Sequence, residues 1–157
     1  MLRLSKLADY GTQVMAVLAR NPDSAANARE IAAETHLSIP TVSKLLKLLS
    51  HAKLLHSRRG IRGGYQLAHP PKAISVAAII EALEGKSGLT ECSNDHHHCA
   101  LSSVCRTRGN WQILNHAIQR ALESVSLEAL ARPHLKEYSI DVSAIQTVGT
   151  KPLENSI

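Results

Sequence analysis

Between Asn27 and Leu67 the hydrophobic period changes from helical to alternating, and no other stretch narrows the fold as far. Asn27-Ala28-Arg29-Glu30 places a Glu three residues after an Asn, a capping-box pattern that opens a helix at Asn27. That helix is short and ends near Thr35-His36. Leu37-Ser38 then makes a tight connection, with Ser38 as the next N-cap. Pro40 is tolerated just inside, because first-turn N–H groups have no intrahelical partner. From Ile39 to about Lys53, Val42, Leu45, Leu46 and Leu49 recur at i, i+3, i+4 and i+7, the buried face of a helix. Leu54 to Leu67 follows as a strand, a glycine-rich basic turn and a second strand with Tyr65 and Leu67 two apart, which predicts a β-hairpin. Two helices on a tight turn with a hairpin behind them describe a winged helix-turn-helix.

The flanking segments fit the same class. A first helix runs from the N-cap Ser5 to about Arg20, with Leu7, Tyr10, Val14, Val17 and Leu18 on one face. Pro70-Pro71 closes the hairpin unit, and Ser75 caps a helix that turns Val76, Ile79, Ile80 and Leu83 inward. Residues 85–108 are polar and aperiodic; a loop that long is expected to be functional or disordered. A long helix is expected from about Gly109 to Leu130, with Trp111, Leu114, Ile118, Ala121 or Leu122, and Val125 at heptad-like spacing. Since the globular part already has a core, this stripe is expected to pack on the equivalent helix of a second copy.

The expected architecture is therefore mainly α with a small β-hairpin wing, plus a long C-terminal dimerisation helix. Its divisions are a DNA-binding domain at 1–84, a cysteine loop at 85–108, the dimerisation helix at 109–131 and a flexible tail at 132–157. The core must be aliphatic, because aromatics are 3% of the chain and Phe is absent. No apolar run approaches the roughly 20 residues that cross a bilayer, and Met1 to Lys6 lead straight into an amphipathic pattern without a signal-peptide core. A cytoplasmic protein without a membrane partner is expected.

Charge points to the first partner. Residues 1–70 hold ten Lys/Arg against four Asp/Glu, net +6, and the remainder holds eight against nine, net −1. All the positive excess lies in the half with the helix-turn-helix, as contact with a polyanion requires. On the third helix Ser38, Thr41, Ser43, Lys44 and Lys47 are left for double-stranded promoter DNA, and on the wing Arg58, Arg59 and Arg62 can clasp phosphate or enter a minor groove. A helical hairpin for protein contact, with its arginines merely solvated, is the plainer alternative.

Cys92, Cys99 and Cys105 are the only cysteines, spaced Cys-x6-Cys-x5-Cys. An odd number so close together reads as metal or redox chemistry rather than a disulfide framework. The spacing lacks the Cys-x2-Cys knuckles of structural zinc. Three soft thiolates suit an iron–sulfur cluster, 2Fe-2S or 4Fe-4S, which needs a fourth donor. Zinc held by the three cysteines with His96, His97 or His98, or a thiol redox switch, stays open on spacing alone. An enzyme is not expected, since the chain has no phosphate loop, no nucleophile–base arrangement and no carboxylate pair placed for acid–base work.

Taken together, Arg3-Leu4-Ser5-Lys6 with Asp9-Tyr10-Gly11, Arg59-Gly60 with Gly63-Gly64-Tyr65-Gln66-Leu67, the helix from Ile74 to Glu84 and the three-cysteine loop resemble the Rrf-two family of winged-helix regulators over about Met1 to Leu130. Leu89-Thr90-Glu91-Cys92 and Cys105 to Gln112 look most like its Suf-system branch, the iron–sulfur assembly regulators; the Isc regulator and the nitric-oxide-sensing repressor are relatives. The resemblance implies a homodimer, a cluster on the three cysteines and control of iron–sulfur biogenesis genes. Where the Isc regulator takes its fourth ligand, a His three residues after the last Cys, this chain has Arg108. Where the nitric-oxide sensor uses an N-terminal carboxylate of the partner subunit, this chain has Asp9, which the resemblance implies as the fourth ligand. Nitric-oxide sensing and a zinc-stabilised adaptor are the alternatives.

Overall fold

The computed structural model describes residues 4–60, 63–85, 88, 90 and 105–132. These divide into two compact units. One holds the described residues up to Gly85 together with Leu122–Arg132, and the other holds Gly88, Thr90 and Cys105–Ala121.

In the first unit each helix begins where a side chain can satisfy an orphan N–H. Helix α1 spans Lys6–Arg20 with Ser5 as N-cap. Helix α2 spans Ala28–Thr35, and its capping box is complete: Asn27 accepts from the N–H groups of Arg29 and Glu30, while Glu30 accepts from the Asn27 N–H at 2.8 Å. It stops at His36, which takes a left-handed conformation with φ of 57°. Helix α3 spans Ile39–His51 with Ser38 as N-cap. Each such cap contributes about 1 kcal/mol.

The wing is the antiparallel pair β1 (Leu55–Arg58) and β2 (Gly64–Leu67), in register Leu55 to Leu67 and Arg58 to Gly64. It is pinned to the body. Tyr65 exchanges two backbone hydrogen bonds with Ala26, at 2.8 and 3.0 Å, and Gln66 donates through Nε2 to the Pro22 carbonyl. Gly64 makes the first of these contacts possible, since a Cβ there would stand 2.5 Å from the Ala26 carbonyl oxygen. A 3-10 turn at Pro71–Ala73 leads to helix α4, Val76–Glu84, capped by Ser75.

The core is aliphatic, as the composition requires. Val14, Met15, Ile31, Val42, Leu45, Leu46, Leu49, Ile79 and Leu127 are wholly buried, and Leu18, Leu55, Leu67, Ile74 and Leu83 join them. Among the described residues no polar or charged residue is buried. The absence of Cβ at Gly11 lets α4 approach α1, because a methyl there would overlap Leu83. The same two helices are tied at the other side by Glu84, whose carboxylate accepts from the N–H and the hydroxyl of Ser5.

The helix expected to run from Gly109 to Leu130 is two helices. Helix α5 spans Arg108–Ser124 and helix α6 spans Leu127–Leu130, with Ser126 as N-cap of the second. Long-range backbone bonds break it: Val76 N–H donates to Val125 O at 2.9 Å, and Leu127 N–H donates to Ile74 O at 2.7 Å. The apolar stripe divides accordingly. Leu122 and Val125, with Leu130, pack on Ala8, Val76 and Ile80 of the chain's own first unit. Trp111 and Leu114 are exposed, as is Ile113, and α5 contains no buried residue. The tail from residue 133 lies outside the described residues.

Candidate nucleic-acid interface and cysteine segment

The buried face of α3 decides what its other face can do. With Val42, Leu45, Leu46 and Leu49 fixed in the core, Lys44 and Lys47 are exposed, while Thr41 and Ser43 are partly so. Ser38 Oγ accepts from the Thr41 N–H at 3.4 Å and lies 2.8 Å from Thr41 Oγ1, so these two hydroxyls are already engaged with each other. Helix α3 packs directly on β1. The wing therefore extends from the same structural base as the helix, and Arg58 and Arg59 at its tip are exposed. Gly60 O accepts from the Gly63 N–H at 2.9 Å, closing the turn between the strands. Arg62 lies outside the described residues. Two long cationic side chains on a rigid helix and two more on a tethered hairpin form a surface suited to a polyanion.

One residue on this surface was missed in the sequence. Ile39, the first residue of α3, is 47% exposed, with the exposed Pro40 next to it. Spacing pointed the other way, because Ile39 stands three residues before Val42 and so continues the buried stripe. The first turn projects past the core that would have covered it.

Of the metal-ligand candidates, Cys105 and Asp9 are described; Cys92, Cys99 and His96 to His98 lie outside the described residues. Cys105 stands just before α5, partly exposed, with Sγ 3.4 Å from Thr107 Oγ1. The Thr107 hydroxyl, followed by the Thr107 backbone N–H, holds its thiol below the usual cysteine range; burial opposes them, and the Arg108 N–H and charge add lesser help. These groups favour the thiolate, the form that binds metal. Asp9 lies in the first turn of α1, exposed, with Oδ1 accepting from Gln13 Nε2 at 3.4 Å. No group of three or more metal-ligating side chains occurs among the described residues. No helix among those residues is long and apolar enough to cross a membrane.

Comparison with known proteins places this arrangement. The model of the Rrf2 family, described as an iron-dependent transcriptional regulator, matches residues 4–133. The chain is 30% identical over 132 residues to Protein rrf2 of Nitratidesulfovibrio vulgaris, an alignment covering 83% of this chain and 88% of that one. Among solved structures it is similar to CymR (YrzC), the global cysteine regulator of B. subtilis, with a TM-score of 0.67 and 32% identity over 83% of this chain and 97% of that one. It is also similar to IscR of T. potens, with a TM-score of 0.63 and 31% identity over 82% and 86% of the two chains. The winged-helix fold, the cationic surface and the extent of these matches agree: the chain belongs to the Rrf2 family of DNA-binding transcriptional regulators.

Proposed function

We propose that the chain is a cytoplasmic homodimeric regulator of iron–sulfur cluster assembly genes, whose own cluster is held by Cys92, Cys99 and Cys105 and, from the partner subunit, by Asp9. The observation that carries the reading is Cys105. Its thiol is biased toward thiolate by Thr107 and Arg108, and two further cysteines precede it within fourteen residues. That donor set fits an iron–sulfur group, which needs soft, deprotonated sulfur. When bound, such a group supplies an occupancy that responds to iron supply, oxidants or nitric oxide. Asp9 suits the fourth position because its carboxylate is exposed on the first helix, where Oδ1 accepts from Gln13 Nε2 at 3.4 Å.

On the DNA side, α3 enters the major groove with Ser43, Lys44 and Lys47 forward, while Ser38 and Thr41 shape its first turn. Arg58, Arg59 and Arg62 of the wing reach phosphate or the minor groove. The exposed Trp111 and Leu114 of α5 support a second copy as partner, within a division into a DNA-binding domain at 1–84, a cysteine loop at 85–108 and a dimerisation helix at 109–131. A homodimer would read two half-sites about one helical turn apart.

The test is purification without oxygen, followed by an absorption spectrum and by iron and sulfide counts. A coloured protein carrying both, whose promoter occupancy changes when they are removed, is expected. A colourless protein containing zinc and no sulfide would overturn the cluster assignment in favour of a zinc-stabilised adaptor. Loss of DNA binding at sub-stoichiometric nitric oxide would make nitric oxide the signal.

A further inference from the structure

The first turn of α3 presents a different chemistry from the rest of its outward face. Ile39 and Pro40 are both exposed, and Pro40 has no N–H to offer. The neighbouring hydroxyls of Ser38 and Thr41 are turned on each other at 2.8 Å, with Ser38 also serving as the cap. No acidic residue occupies this turn. The leading end of the helix is therefore a small aliphatic tip, and the cations Lys44 and Lys47 lie one and two turns behind it.

A single exposed aliphatic residue is ordinarily unremarkable on a protein surface. Its position changes that. In a helix-turn-helix the N-terminal residues of the second helix approach the base edges most closely. In the major groove three of the four bases present only hydrogen-bonding groups to such a tip, whereas thymine presents a C5-methyl group. A branched aliphatic side chain gains nothing from a bare donor or acceptor and loses by desolvating it. Against a methyl it gains apolar burial.

We infer that Ile39, with Pro40 beside it, reads thymine C5-methyl groups in the major groove and so sets a thymine preference in each half-site. The inference rests on the reading in which α3 is the groove-entering helix. It adds a specificity determinant that the polar side chains of that helix do not supply.

The experiment uses the full chain and a duplex enriched by in vitro selection against it. Each thymine of the enriched half-site is replaced in turn by deoxyuridine, which removes only the methyl group and leaves the hydrogen-bonding edge intact. At one or two positions the replacement is expected to weaken binding about fourfold, the worth of one buried methyl. In Ile39→Ala the same replacements should change binding by less than about 1.7-fold, a threshold set by the roughly 0.3 kcal/mol within which independent sites add. The Arg59→Ala variant, weaker on every sequence, should keep the discrimination.

If no thymine of the half-site is sensitive to its methyl, or if the sensitivity survives in Ile39→Ala, the inference fails while DNA binding stands. An Ile39→Ala variant that weakens thymine and deoxyuridine sites equally would likewise overturn it, placing Ile39 against sugar or a protein neighbour. Failure of selection to enrich any duplex would remove the groove reading itself, and this inference with it. Because Ile39 lies outside the core, the urea midpoint of Ile39→Ala should match that of the parent chain, so lost discrimination cannot be ascribed to unfolding.

Discussion

Helices α3 and α5 are both amphipathic by sequence, yet they meet opposite fates. Past its first turn, α3 repeats Val42, Leu45, Leu46 and Leu49 at helical spacing, and all four are wholly buried. In α5 no residue is buried, and Leu114 is 50% exposed. The first helix is complete within its own chain, held by a core on one side and a cap at its start. The second leaves Ile113 and Leu114 exposed, and the proposed function assigns that surface to a second copy and the cysteines before it to a metal. The contrast teaches that periodicity reports an apolar face without saying whose core will cover it.

The largest effect should fall on the side that looks outward. A triple Cys92→Ser, Cys99→Ser, Cys105→Ser chain, purified without oxygen, is expected to lose all bound iron and sulfide while its helical circular dichroism stays that of the parent. A triple variant that still carried iron and sulfide would break the comparison at its root, because the donors would then lie elsewhere.

Stability comes next. Leu45→Ala empties a fully enclosed site and should cost about 2–5 kcal/mol in urea unfolding. Leu114→Ala should stay within about 0.5 kcal/mol in dilute, monomeric protein. A concentration-dependent loss for Leu114→Ala alone would sharpen the contrast, since only a helix stabilised by a second copy responds to dilution.

How far the sequence revealed this molecule follows from the range of the forces involved. Ser5, Asn27, Ser38 and Ser75 were readable as caps because a cap is settled within three or four residues of chain. The hairpin was readable for the same reason. The break before α6 was not, because it depends on Ile74 and Val76 bonding to residues some fifty positions on. Nor was the division of the α5 stripe, in which Leu122 and Val125 turn back onto Ala8, Val76 and Ile80. Ile39 fails the pattern in the other direction, keeping the spacing of a core residue where the core has already ended. For the candidate site, the donors and cations were plain as residue types. The hydroxyl pairing of Ser38 with Thr41 and the setting of Cys105 are matters of geometry and were not.

A smaller effect is expected on the DNA side, at the wing. Arg59→Ala should weaken binding to promoter DNA and reduce the slope of log K against log salt by about 0.9, the release of one counterion. Because Arg59 is exposed, its urea midpoint should not move. An unchanged salt slope would take the wing out of the interface and leave α3 to account for the charge segregation alone.

The smallest effect probes Cys105 itself, in metal-free protein carrying Cys92→Ser and Cys99→Ser so that one thiol remains. Iodoacetamide reacts with the thiolate, so its rate against pH follows the ionisation of that group. The Thr107 hydroxyl is the largest influence holding the Cys105 thiol low, because a donated hydrogen bond stabilises the charged form. Thr107→Val removes that donor but leaves the backbone N–H groups of Thr107 and Arg108 in place. The alkylation profile should therefore move toward higher pH, and the rate at neutral pH should fall, without returning fully to that of a free cysteine. A profile that stays put would mean the hydroxyl accepts from the thiol rather than donating to the thiolate. Cys105 would then resemble α3 more than α5, a group satisfied within its own chain and not poised for an external partner.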